Sequence, residues 1–292
     1  MSLLQIVQQE VIEHLSHLSV TARQAVESVL AGQHRSVRRG LSVEFAGHRE
    51  YQAGDDLRHL DWLVYARSDR YDIRQYEEET KLRATIILDT SGSMGYASGK
   101  NSKLEYARAL TAALGFLMIR QSDAVGLVTC DTEVREFIPP ASTMGHYLNL
   151  LRSLEKSVPG NETSLATVLD EIAARLTRRG LVILITDGFD NPEAFLKSLQ
   201  FLRFRKQEVR LFQVLDPQER EFPFKGMMEF IGLEKEPRMK LDGDRVREYY
   251  RRTFEAHQSR IKSGCHACGV QLETCWTDEE LFTVLNRALS LR

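Results

Sequence analysis

Asp89-Thr90-Ser91-Gly92-Ser93-Met94 follows the apolar run Ala84 to Leu88. One acid and two hydroxyls fall at alternate positions, the pattern D-x-S-x-S. Two more oxygen donors come later in the chain. Thr163 stands in Gly160-Asn161-Glu162-Thr163, just before a helical pattern, and Asp187 ends the apolar run Leu181 to Thr186. Such a set suits a hard divalent cation. Mg²⁺ (or Mn²⁺ in its place) takes about six oxygen ligands in octahedral geometry and keeps waters among them. Ser91 and Ser93 offer neutral hydroxyls on one tight loop, and Thr163 offers a third from a neighbouring loop. Asp89 and Asp187 supply the negative charge, Asp187 either directly or through a water. With few carboxylates around it, the ion stays electrophilic and can exchange a water for a carboxylate of another molecule.

Three loops can meet in this way only if the elements between them set the strand ends side by side. From Ala84 the sequence alternates short apolar runs with amphipathic periods. Strands are predicted at Ala84 to Leu88, Ala124 to Cys130, Leu181 to Thr186, Val209 to Leu215 and Val270 to Trp276. Glu133 to Ile138 pairs with the second as a hairpin about Asp131-Thr132. Helices are predicted over Leu104 to Arg120, Met144 to Leu154, Ser164 to Arg178, Asn191-Pro192 to Arg203 and Arg245 to Lys262. Asn191 reads as an N-cap with proline in the first helical position. Thr277 and Glu280 read as a capping box for a closing helix. An excursion with a hairpin around Glu234 to Pro237 lies between the last two strands. The fold class is α/β, a doubly wound, mostly parallel sheet covered on both faces. Ligands of such sheets sit at the carboxyl ends of the strands, where Asp89, Thr163 and Asp187 all fall.

The five residues Asp89, Ser91, Ser93, Thr163 and Asp187 fill the pattern D-x-S-x-S…T…D and resemble the metal-ion-dependent adhesion site of von Willebrand factor A domains. The likeness implies a magnesium site that grips a protein partner's Asp or Glu. A wider likeness rests on Arg38-Arg39-Gly40-Leu41-Ser42-Val43-Glu44-Phe45, on Tyr51-Gln52-Ala53-Gly54-Asp55-Asp56-Leu57-Arg58 with Leu60-Asp61-Trp62, and on Asp216-Pro217 with Glu221-Phe222-Pro223-Phe224. These resemble a bacterial domain-of-unknown-function family associated with MoxR-type AAA+ ATPases. That resemblance implies a scaffold or adaptor working with such an ATPase in assembling or maturing other proteins. The organisation expected is an N-terminal accessory region over 1–80, with a helix over 2–31, short strands at Leu41 to Phe45 and Tyr71 to Tyr76, and a turn at Gly54-Asp55-Asp56. A von Willebrand factor A-like domain follows over 81–292, interrupted at 216–264.

Other chemistries fit less well. A phosphate-binding loop would need four residues between Gly95 and the Gly99-Lys100 pair, where there are three, and a Ser or Thr where Asn101 stands. An aspartic protease needs a second Asp-Thr-Ser-Gly to share a proton. A D-x-D phosphatase needs an acid where Ser91 stands, and no G-x-S-x-G elbow occurs. Three classes stay open: a metal-dependent adaptor, a metal-independent scaffold and a nucleotide-binding enzyme.

Composition fits a soluble globular chain, with 42% hydrophobic and 27% charged residues. A net charge of −2 gives no global field for nucleic acid or anionic membrane. The apolar runs are too short to span a bilayer, and the start has neither the basic region nor the cleavage site of a signal peptide. A cytoplasmic protein is expected, in which Cys265-x-x-Cys268 reads as free thiols. Arg35, Arg38 and Arg39 read as salt-bridge partners of nearby acids, and Trp62 and Tyr65 as packing residues.

Overall fold

Alternation to two faces explains the apolar strands. In β3 (Arg83–Asp89), Ile86 and Leu88 face one core and Ile87 the other; in β6 (Leu181–Thr186), Ile183 and Ile185 oppose Val182 and Leu184. A strand buried on both sides has no polar face to show, which is the signature of a covered parallel sheet. The computed structural model describes residues 44–52, 60–68, 70–77, 82–160, 164–234 and 237–290. The predicted helix over 2–31, the Gly54-Asp55-Asp56 turn, Arg35, Arg38, Arg39 and Thr163 lie outside them.

The described residues form two compact units, one within 31–81 and one from Leu82 onward. In the smaller, β1 (Glu44–Glu50) pairs antiparallel with β2 (Asp72–Glu77), with a register shift between Phe45 and Gly47. Between them lies α1 (Trp62–Ser68), started by the Asp61 carboxylate, which accepts from the Leu63 and Val64 amides. Tyr65 stacks on Tyr71 as a packing residue should, but Trp62 touches Tyr65 only edge-on and is 64% exposed.

The larger unit is built on a sheet of order β10-β7-β6-β3-β4-β5. Its remaining strands are β4 (Ala124–Cys130), β5 (Val134–Ala141), β7 (Glu208–Leu215) and β10 (Gln271–Trp276). All neighbours are parallel except β4 and β5, the hairpin expected about Asp131-Thr132. One face is covered by α2 (Lys103–Arg120), α3 (Met144–Lys156) and α8 (Leu281–Ser290). The other is covered by α4 (Leu165–Arg175), α5 (Pro192–Phe204) and α7 (Gly243–Ala267). Between β7 and α7 the chain makes α6 (Pro217–Glu221) and a hairpin of β8 (Met227–Phe230) and β9 (Met239–Asp242).

Two local expectations are corrected. The helix expected over Ser164 to Arg178 ends at Arg175, because Leu176 turns extended and the Arg178 carbonyl accepts from the Gln207 side chain at 2.7 Å. The capping box of Thr277 and Glu280 does not form. The Thr277 amide donates to the Leu215 carbonyl and its hydroxyl to Asp216, so helix α8 starts only at Leu281. Cys265 and Cys268 are free thiols near the end of α7. Burial, then the neighbouring Cys268, push Cys265 up to about 12, which makes it a poor nucleophile at neutral pH.

The edge strand β5 passes Gly126 of β4 so closely that an added Cβ would lie 2.6 Å from the Ile138 carbonyl oxygen and 2.8 Å from the Pro140 nitrogen. Gly126→Ala should therefore destabilise the protein by about 1–3 kcal/mol in urea unfolding, as overpacking does. An unchanged midpoint would mean that β5 is not held in this register.

Candidate metal site

β3 delivers Asp89 to the carboxyl edge of the sheet with no exposed surface, and β6 delivers Asp187 next door, 1% exposed. Both oxygens of Asp89 are engaged. Oδ1 accepts from the Ser91 amide at 2.9 Å, and Oδ2 accepts from the Thr186 hydroxyl at 2.6 Å. The first bond folds the chain back at once, and Gly92–Gly95 makes a single 3₁₀ turn held by the buried Met94 side chain. The outcome is that the Ser91 and Ser93 hydroxyls lie 3.2 Å apart on the same loop. Burial, then the charge of Asp187, raise Asp89 to about 7, against the pull of its hydrogen bonds.

Lys103 is the residue the sequence reading missed. It is the first residue of α2, behind a capping box in which the Ser102 hydroxyl accepts from the Glu105 amide and the Glu105 carboxylate accepts from the Ser102 amide. Its side chain is 1% exposed. Nζ donates to Asp187 Oδ2 at 2.8 Å and to Glu219 Oε1 at 2.6 Å, and lies 5.0 Å from the centre of the Phe189 ring. Burial opposes the charge, but Asp187 and Glu219 outweigh it and hold the ammonium above the ordinary lysine range. A lysine at a helix N-terminus opposes the helix dipole. That misfit was the signal available in the sequence.

Glu219 comes from α6, whose N-cap Asp216 forms a capping box with it: Asp216 Oδ1 accepts from the Gln218 amide, and Glu219 Oε2 accepts from the Asp216 amide. Asp216 is buried, and its other oxygen accepts from the Ser98 amide at 2.9 Å and from the Thr277 hydroxyl at 3.3 Å. A further carboxylate arrives from the hairpin, where Glu234 Oε1 accepts from the Ser93 amide at 3.3 Å. The structure thus brings Asp89, Ser91, Ser93 and Asp187 to one edge. The approach to Thr163 is fixed up to Gly160, whose amide donates to the Thr90 carbonyl at 2.6 Å. Lys100 is exposed on a loop.

The family model described as "Protein of unknown function DUF58" matches residues 47–260. The chain belongs to the DUF58 family. Two uncharacterised proteins, Mb1516 of Mycobacterium bovis and Rv1480 of Mycobacterium tuberculosis, are each 27% identical to it over 282 residues, 95% of this chain and 88% of theirs. Among solved structures, BatB of Bacteroides thetaiotaomicron aligns at TM-score 0.50 and 16% identity, over 72% of this chain and 97% of its own. An aerotolerance-related membrane protein of Bacteroides fragilis aligns at TM-score 0.50 and 18% identity, over 71% of this chain and 97% of its own. At these identities the likeness is one of fold. The larger unit of this DUF58 chain has a von Willebrand factor A-like α/β fold with a mostly parallel sheet.

The donors fit a divalent cation on the structure's own terms. Asp187 and Glu219 share a single buried ammonium, and Asp89 beside them has only neutral donors on its oxygens. No group of three His, Cys, Asp or Glu among the described residues is arranged to hold a metal. An ion here therefore depends on the serine hydroxyls, which suits a hard cation and not zinc.

Lys103→Met leaves the buried Asp187 and the partly buried Glu219 without their cation. It should cost about 3–5 kcal/mol in urea unfolding, as breaking a buried pair does. Adding Glu219→Gln should return part of that loss in a double-mutant cycle. A loss under about 1 kcal/mol would mean that the ammonium does not hold these carboxylates in place.

Proposed function

We propose that this protein is a non-enzymatic, Mg²⁺-dependent (or Mn²⁺-dependent) docking protein. Asp89, Ser91, Ser93, Thr163 and Asp187 hold the ion, and an Asp or Glu of a protein partner completes its coordination. What supports the reading is the convergence, at the carboxyl edge of the sheet, of two buried aspartates and a pair of serine hydroxyls 3.2 Å apart. The hydroxyls leave the ion short of negative charge, so a carboxylate from outside is a better ligand than the water it replaces. In this reading Lys103 keeps Asp187 oriented and takes up part of its charge, which favours a role for Asp187 through water. The adaptor works with a MoxR-type AAA+ ATPase on client proteins in the cytoplasm, as the sequence likeness implies. No helix among the described residues is long and apolar enough to cross a membrane.

One observation favours a second reading. Lys103 already supplies Asp187 with a positive charge at 2.8 Å, and a permanent internal cation would serve a metal-independent scaffold. The two readings separate in one experiment. The tagged protein captures partners from native extract in Mg²⁺, in EDTA, and as Asp89→Ala in Mg²⁺. Metal-dependent docking predicts partners, an AAA+ ATPase among them, in the first condition only. Equal recovery in all three would sink the metal reading and leave the scaffold.

A further inference from the structure

The carboxylate that meets the serine loop comes from the chain itself. Glu234 follows β8 on the turn of the excursion hairpin, and it reaches the Ser93 amide from 141 residues away in sequence. A carboxylate is the same chemical group that the docking reading asks a partner to supply. It sits at the residue whose hydroxyl is one of the proposed ligands. The loop below it is rooted in the buried acid Asp89, and Lys103 is committed to Asp187 and Glu219. Glu234 thus brings one more carboxylate to the serine loop.

The hairpin is held at its base and exposed toward its turn. At the base, Phe222 stacks on Tyr250 at 4.4 Å and on Phe230 at 5.8 Å, and Phe224 meets both phenylalanines edge-on. Arg247 donates to the Phe222 and Phe224 carbonyls, and the Gly243 amide donates to Gly226. Beyond β8, Ile231 is 59% and Leu233 49% exposed. A hydrogen bond of 3.3 Å lies beyond the usual range for an amide donor, so the carboxylate meets the loop through a long contact. Anchored base, exposed flank and a carboxylate at the far end together describe a hairpin fixed at its root that meets the serine loop through Glu234.

We infer that Glu234 is an internal occupant of the partner's coordination position, so that the β8–β9 hairpin competes with any incoming Asp or Glu. This deepens the docking reading and rests on it. The test uses the full chain with Mn²⁺ as the ion and acetate as the carboxylate probe, read by water-proton relaxation. The chains compared are wild type, Glu234→Gln, Glu234→Ala and Asp89→Ala. Both Glu234 variants should bind Mn²⁺ and show about one more exchanging water than wild type, out of the roughly six positions of an octahedral ion. Acetate should quench that increment at concentrations about tenfold below those needed in wild type, where a tethered carboxylate at high effective concentration competes. If wild type and both variants give the same relaxation and the same acetate response while Asp89→Ala loses Mn²⁺, the internal ligand is overturned and the metal site stands. If wild type and Asp89→Ala do not differ in Mn²⁺ binding, the site itself is overturned and the inference falls with it.

Discussion

Asp89 and Asp187 end two hydrogen-bonded parallel strands, both withdrawn from water, and the charge of Asp187 makes that of Asp89 harder to keep. Much of the surrounding structure answers that problem. The Thr186 hydroxyl and the Ser91 amide take the two oxygens of Asp89. Lys103 takes Asp187 but is itself buried, so it draws in Glu219. Glu219 needs a fixed backbone, which the capping box with Asp216 provides, and Asp216 in turn holds the Ser98 amide downstream of the serine loop. The chain of dependence runs from β3 through α2 to α6 and back to the loop after β3.

This closed circuit needs a platform that does not shift. Ridged apolar side chains on both faces of the sheet lock β3, β4, β6 and β7 against helices on either side, and such interiors pack as densely as organic crystals. The loop after β6 is tied to a second layer as well, since His257 of α7 bonds the Gly188 carbonyl at 3.0 Å and its ring lies against Phe189. Side chains carried on strand ends, and the serine loop tied to them through Asp89, inherit that rigidity.

The alternation of apolar strand and amphipathic helix carried most of the architecture into plain view. Ile86, Ile87 and Leu88 are apolar without a break because they serve two cores, and the Asp131-Thr132 hairpin had only one plausible partner strand. That Asp89, Ser91, Ser93 and Asp187 lie together was legible because loops after strands of such a sheet share an edge. What stayed hidden was longer in range. Thr277 read as a cap from its neighbours alone, yet its hydroxyl goes to Asp216, 61 residues away. Lys103 left a trace, a cation at the wrong end of a helix, and Glu219 left another in the spacing Asp216-x-x-Glu219. Glu234 left none, because nothing local says where a hairpin turn will come to rest.

Lys103 does not make a divalent ion redundant, and the reason lies in which atoms it reaches. The ammonium meets Asp187 and Glu219, while Asp89, held near 7 by burial and by Asp187, has only neutral donors. A proton on Asp89 relieves that charge, and the Ser91 and Ser93 hydroxyls lie within hydrogen-bond reach of each other. In the proposed docking reading a divalent cation would relieve it and use both hydroxyls, as a rival of the proton for the same site. Lys103 then has a complementary effect. In the proposed reading, by neutralising Asp187 in part, it would lower the negative charge an ion feels from its own protein and leave that ion open to a carboxylate from outside.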